Sequence, residues 1–334
     1  MPAVFKKLLL MLSGLVVGLA IVEAVLRVTG FGTVTPQMNF GMHAKIALEQ
    51  GYFLPDAKLF WKVRPDLNPE FERVAKIQNP DRPVPPPGTK KRVLILGDSC
   101  SRIAGEGLPY SAMLEQDLGP DQWDVLNASV PGYTSYQGLQ WLKTQLLGAH
   151  PDVVVVYFGW NEHWRTTGET DLQYARSRSF MYPRILTLVK GKHRTPPFRV
   201  SVPEYRDNLA AIVKLVHDSR GKVILVAGPY HFAPGVEAQY VKDKYLILGD
   251  DVTSIHRSYL DVVRGFRGRN DVTVVEADSV FEDLADYPLL MRQDGIHFTD
   301  AGHRVMAAIL AEAITAPNQN GPVALLAAAR KAVP

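Results

Sequence analysis

A single cysteine, Cys100, stands among 334 residues. One thiol cannot close an internal disulfide, and no Cys-rich zinc site can be built around it. Charge of either sign is also scarce in excess. Lys and Arg number 37 against 34 Asp and Glu, a formal net charge of +3. That balance does not argue for nucleic acid, and no basic stripe with interleaved aromatics suggests it, so no nucleic-acid partner is expected. No set of His and acidic residues has metal-ligand spacing, so no metal is expected. No Gly-x-Gly-x-x-Gly follows the first strand, which weighs against a dinucleotide fold, and nothing else in the sequence calls for a cofactor. There is no internal repeat. Protein partners are left unspecified.

What is present is ordinary globular composition, 46% hydrophobic and 21% charged. A sizeable core follows, and the length suits one large α/β domain with appendages. One long hydrophobic run exists, and it lies at the start. Lys6 and Lys7 precede an uncharged stretch from Leu8 to Val22. Extended through Val28, it is long enough to cross a bilayer core as a helix. Glu23 and Arg27 are spaced to pair on one helix face near the far interface. Residues 1–29 are therefore expected to be a signal-anchor or transmembrane helix. The lysines put its N-terminus in the cytoplasm and the remainder on the extracytoplasmic side, periplasmic or extracellular. Two alternatives stand beside this: a cleaved signal peptide with Val22-Glu23-Ala24 as a weak cleavage site, and a buried helix of a soluble protein.

Residues 30–90 show little periodicity and end in a proline-rich run from Pro83 to Pro87. They are expected to form an extended stalk and wrapping segment that packs a few aromatics on the domain. From residue 91 to 316, strands and helices alternate. Apolar runs at Val93–Leu96, Asp124–Ala128, Asp152–Phe158, Lys222–Ala227 and Asp271–Glu276 predict five strands. Helices are expected at Tyr110–Leu118, Thr134–Leu147, Tyr205–Asp218, most of Val236–Phe266, and Thr299–Ile314. This alternation predicts a doubly wound parallel sheet. Residues 317–334 read as an Ala-rich tail with one short helix. Within the domain, residues 165–202 carry many basic groups: Arg165, Arg176, Arg178, Arg184, Lys190, Lys192, His193, Arg194 and Arg199. Following the central strand, they are expected to form a lid-like or membrane-facing insertion, or a plain solvated loop.

The chemistry gathers at the strand ends. Gly97-Asp98-Ser99 ends the first strand, where ligands of open α/β sheets bind. A serine nucleophile there needs a base, and the base needs an orienting group. Asp294-Gly-Ile-His297 supplies both types at a spacing of three, just beyond the last strand. Oxyanion donors are the remaining need. Gly132 in Asn127-Ala-Ser-Val-Pro-Gly-Tyr-Thr follows the second strand. Asn161 in Gly159-Trp160-Asn161-Glu162 follows the third. Singly, each of these is a common turn or cap.

Together, in order at the ends of one sheet, these blocks resemble the SGNH or GDSL hydrolases, a superfamily of serine esterases, lipases and acyl-transfer enzymes. The likeness covers roughly Val93 to Ile314 and extends, through the N-terminal segment, to membrane-anchored bacterial members. It implies a flavodoxin-like three-layer α/β/α sandwich around a five-stranded parallel sheet. It also implies Ser99 as nucleophile, His297 as base and Asp294 as its orienter. The Ser99 N–H, the Gly132 N–H and the Asn161 side chain would form the oxyanion hole. Two departures stand out: Cys100 where the first block has Leu, and Glu162 where the third has Asp. Neither removes a catalytic group. Arg102 and His163 are further candidates for substrate contact. An α/β-hydrolase fits less well, since the second glycine of Gly-x-Ser-x-Gly is missing.

The function so implied is ester hydrolysis through an acyl-enzyme, on an O-acyl ester (O-acetyl included) of envelope carbohydrate or lipid. An O-acyltransferase would use the same triad, and a non-catalytic carbohydrate-binding or assembly module is the alternative of another class.

Overall fold

The computed structural model describes residues 3–64, 74–77, 79–102, 104–105, 107–179, 181–189, 195–316 and 321–333. Seven strands are formed among them. β1 (Phe53–Asp56) and β2 (Phe60–Val63) make an antiparallel hairpin. β3 (Lys91–Gly97), β4 (Trp123–Asn127), β5 (Val153–Tyr157), β6 (Lys222–Ala227) and β7 (Val272–Glu276) make one parallel sheet in the order β4-β3-β5-β6-β7. Counted from β3, that order is flavodoxin-like. The winding reverses between β3 and β5, which opens a crevice at their carboxyl ends.

The strands form where β-branched residues can be buried on both faces. Leu94, Leu96, Val154 and Val156 enter one core, with the helices Ser135–Thr144, Val202–Asp218 and Val252–Arg264. Val93, Ile95, Val153 and Val155 enter the other, with Tyr110–Leu118, Ala277–Glu282 and Asp300–Thr315. The result is the expected α/β/α sandwich. The Pro322–Ala332 helix packs against Asp300–Thr315 through buried Leu325 and Ala329.

Residues 30–64 depart from an extended stalk. Two short helices, Pro36–Phe40 and Met42–Glu49, lead into the hairpin. Asp56 tightens its turn, accepting from the N–H groups of Lys58 (2.8 Å) and Leu59 (2.7 Å). Phe40, Phe60 and Trp61 are buried in the first core, where Phe60 stacks on Phe40 and Tyr136. Burial of three large rings outweighs the weak local strand pattern. The proline run ends at β3 as expected, and Arg92 holds it by donating to the carbonyls of Pro85 (3.1 Å) and Pro86 (3.0 Å).

The Ala3–Thr29 helix is long and apolar enough to cross a membrane. Leu26 is the one residue it buries. A core helix of a soluble protein would be packed, so that alternative is set aside; a signal sequence meets the same length and composition.

Candidate active site

β3 ends where backbone crowding excludes a side chain. A Cβ on Gly97 would lie 2.7 Å from Ser101 Oγ and 2.8 Å from the Tyr157 carbonyl oxygen. The chain then turns into a short 3-10 segment, Ser99–Ser101, capped by Asp98, whose Oδ1 accepts the Cys100 N–H at 2.9 Å. Ser99 is thus presented at the crevice mouth by a turn that Asp98 fastens from beneath.

The Asp294-Gly-Ile-His297 turn comes to meet it. Gly295 has φ +73°, and a Cβ there would lie 2.5 Å from the His231 carbonyl oxygen. The turn lets one carboxylate grip both backbone and ring. Asp294 Oδ1 accepts from the N–H groups of Ile296 and His297, each at 2.9 Å, and Oδ2 lies 2.8 Å from His297 Nδ1. His297 Nε2 lies 2.9 Å from Ser99 Oγ. The carboxylate selects the tautomer with its proton on Nδ1, leaving Nε2 to accept from the hydroxyl. Burial alone would raise the Asp294 carboxyl, but the His297 hydrogen bond and charge, with the two N–H donors, outweigh it and hold it down at about 2.

Gly132 follows β4 with φ +79°, and a Cβ on it would press to 3.2 Å from the Trp61 ring. Asn161 follows β5, buried, its Nδ2 donating to Asp98 Oδ2 (3.0 Å) and to the Tyr133 carbonyl (2.9 Å). The structure therefore brings Ser99, His297 and Asp294 into one hydrogen-bonded chain. It also ties Asn161 to the Asp98 that carries the nucleophile's turn.

Arg102 is half-buried with Nη1 3.5 Å from the Ser129 carbonyl oxygen. His163 is fully buried, its Nε2 3.2 Å from His256 Nδ1 and its pKa pushed down by burial to about 3. It has no exposed surface with which to meet a substrate, a correction to its reading as a contact. Cys100 is also buried, and burial pushes its thiol well above the usual range, so it makes no thiolate nucleophile.

Three neighbours of the site have no role assigned by sequence, although two of them stand inside its motifs. Asp98 is one; burial raises its carboxyl to about 6 despite the Cys100 N–H, the His297 charge and Asn161. Glu162 is the second, fully buried, accepting from the N–H groups of Ser135 (2.5 Å) and Gly159 (3.0 Å) and so joining the two donor loops. Burial raises it to about 7. Arg199 is the third. It belongs to the basic insertion by sequence, yet it is buried, with Nε and Nη2 on Asp171 (3.1 and 3.0 Å) and Nη1 on the Gly132 carbonyl (2.6 Å). Its guanidinium lies over the rings of Phe40 and Trp61. At the other end of the insertion Arg165 pairs with Asp250 at 2.5 Å. Both ends are thus built into the domain by paired charges, which a freely moving lid would not be. Lys190, Lys192, His193 and Arg194 lie outside the described residues.

The GDSL-like lipase/acylhydrolase family model matches residues 95–305. No curated protein matches the chain. Similar solved structures include a lipase/acylhydrolase from Enterococcus faecalis, 18% identical, covering 67% of this chain and 95% of that one, TM-score 0.46. A GDSL-like lipase from Bacteroides thetaiotaomicron is 19% identical over 67% of this chain and 87% of its own, TM-score 0.41. A mutant of an acetyl-xylooligosaccharide esterase from Geobacillus is 18% identical over 68% and 94%, TM-score 0.44. Likeness at this level bears on neither substrate nor mechanism.

Proposed function

The chain belongs to the GDSL-like lipase/acylhydrolase family, the carboxylic ester hydrolases, and from that premise we propose a serine esterase acting through Ser99. The observation that carries the reading is the unbroken relay from Asp294 through His297 to Ser99, at 2.8 and 2.9 Å. Ser99 Oγ attacks the ester carbonyl carbon as its proton passes to His297 Nε2. The new C–O bond pushes the carbonyl electrons onto oxygen. That oxyanion is met by the N–H groups of Ser99 and Gly132 and by the Asn161 amide. In the resting enzyme the Asn161 amide is occupied by Asp98 and the Tyr133 carbonyl. A full negative charge on the substrate oxygen competes with the neutral Tyr133 carbonyl for that donor, so the donation grows as the transition state forms. Collapse expels the alcohol, which takes the proton back from His297, and leaves an acyl group on Ser99. Water activated by the same histidine then releases the acid.

The substrate is an O-acyl ester carried on envelope carbohydrate or lipid. The reading is supported by the Ala3–Thr29 helix, which is long and apolar enough to cross a membrane: taken as an anchor with Lys6 and Lys7 on the cytoplasmic side, it sets the active crevice on the extracytoplasmic side. The mass of the mature N-terminus separates an anchor from a cleaved leader.

A fluorophosphonate probe and an acyl-ester panel, run with and without sugar acceptors on wild type and Ser99→Ala, test the assignment. Wild type should label and release acid, and Ser99→Ala should do neither. Transfer to the acceptor in place of release makes the enzyme an acyltransferase. A folded wild type that neither labels nor turns over an ester ends the proposal.

A further inference from the structure

We propose that residues 181–189 form a membrane foot, seated in the phospholipid interface beside the Ala3–Thr29 helix. The inference rests on the reading of that helix as a membrane anchor. A helix rises 1.5 Å per residue, so a hydrocarbon core of about 30 Å takes about 20 residues. With Lys6 and Lys7 at one boundary, the other falls near Val28. Glu23 then lies about 7 Å inside the hydrocarbon edge.

A carboxylate at that depth has to be paired and hydrogen-bonded. Arg27 provides part of this, its Nε donating to Glu23 Oε1 at 2.6 Å. The remainder comes from the foot. The Arg184 N–H donates to Oε1 at 2.8 Å and the Ile185 N–H to Oε2 at 3.0 Å. Arg27 in turn donates through Nη2 to the Tyr182 carbonyl at 3.1 Å. Both members of the ion pair are thus fastened to one segment, and the Ile185–Val189 helix packs on the anchor helix at this level. Where Glu23 goes, the backbone of residues 182–185 must follow.

The chemistry of the segment suits that place. Met-Tyr-Pro-Arg-Ile-Leu-Thr-Leu-Val contains no acid. Met181 is 84% exposed and Leu186 is also exposed, on a segment that packs against a helix whose apolar side chains are themselves exposed. Tyr182 and Arg184 are the residue types that lodge at headgroup level, and the preceding helix carries exposed Arg176 and Arg178, the residue type that pairs with anionic phosphates.

The test uses the full chain in vesicles of zwitterionic and anionic phospholipid. Cys100 is buried, so an introduced cysteine takes a nitroxide label selectively. Labels go at Met181→Cys, Leu186→Cys, Val16→Cys in the anchor helix, and Val323→Cys, an exposed site on the opposite face of the sheet. Collision with oxygen against a water-soluble nickel chelate reports depth. Labels 181 and 186 should be oxygen-accessible and nickel-protected, as at 16, with the reverse at 323. If 16 lies in lipid while 181 and 186 behave like 323, the foot is refuted and the anchor stands. If 16 is also in water, the anchor reading itself fails and the foot with it.

Discussion

Arg199 donates to the Gly132 carbonyl oxygen at 2.6 Å from a fully buried position, while the same guanidinium holds Asp171. Fixing that carbonyl fixes the peptide plane of the Gly132 loop, which follows β4 at the crevice. Asp171 is itself held by Thr134 Oγ1 at 2.6 Å, so the arrangement clamps both ends of the Gly132–Thr134 turn.

Arg199→Met should therefore lower both stability and turnover. Leaving Asp171 buried without its partner costs about 3–5 kcal/mol. The double variant Arg199→Met/Asp171→Leu removes the orphaned charge and should recover most of the stability in a denaturant titration. It should not recover kcat, because the Gly132 carbonyl remains unheld. Equal recovery of kcat and stability would show that the clamp serves folding alone.

Asn161→Ala removes the proposed oxyanion donor. A loss of about 10²–10³ in kcat is expected, with KM little changed, since the donor acts chiefly on the developing charge. Asn161→Asp should be worse in both activity and stability. It sets a second carboxylate beside Asp98, whose own carboxyl already stands near 6. Steady-state kinetics with a soluble ester measure the first, and a thermal melt the second.

The sheet and the blocks at its strand ends are legible because both depend on short-range pattern. Val153-Val154-Val155-Val156 reads as a buried strand, and the glycine inside Asp294-Gly-Ile-His297 marks that stretch as a turn, where the same Asp-x-x-His spacing at Asp300–His303 begins a helix. Long-range pairings left no such mark. Arg199 reads as one more cation in a basic run, since its partner Asp171 and its rings Phe40 and Trp61 are brought to it by the fold. The β1–β2 hairpin has no sequence signature for a related reason. Its strands are four residues each, and Phe60 turns into the second with φ +68°, a conformation that packing against Phe40 and Tyr174 supports. His163 is the opposite case, a polar residue close to Asn161 in sequence that folds into the aromatic core.

Glu162→Gln tests the bridge between the two donor loops. A carboxyl accepts from both Ser135 and Gly159, whereas an amide has one acceptor and turns its NH₂ toward the other donor, a loss of about 1–3 kcal/mol. The wild-type group stands at about 7 against an ordinary 4.5. A carboxyl raised on folding contributes stability present in full below pH 4.5 and lost as pH rises through 7. Wild type should lose up to about 3 kcal/mol over that window from this group, and Glu162→Gln should not. The gap between the two melts should therefore narrow from pH 5 to pH 8.

Asp294→Asn separates orientation from charge at the base. The amide donates to Nδ1, which drives the His297 proton to Nε2 and turns a hydrogen toward Ser99 Oγ. The ring can then no longer take the hydroxyl proton, and kcat should fall by about 10³–10⁴. Stability should respond in a different window. The wild-type carboxyl is held at about 2 against an ordinary 3.8. A carboxyl lowered on folding contributes stability present above pH 3.8 and lost as pH falls through 2. With its side chain 40% exposed, solvent screening leaves about 1 kcal/mol of this. Wild type should be the more stable protein at neutral pH by about that amount, and the two unfolding curves should converge as pH is taken from 4 to 2. A stability gap that persists undiminished at pH 2 would mean that the carboxylate's charge contributes nothing to the fold and that its hydrogen-bond geometry alone holds the turn.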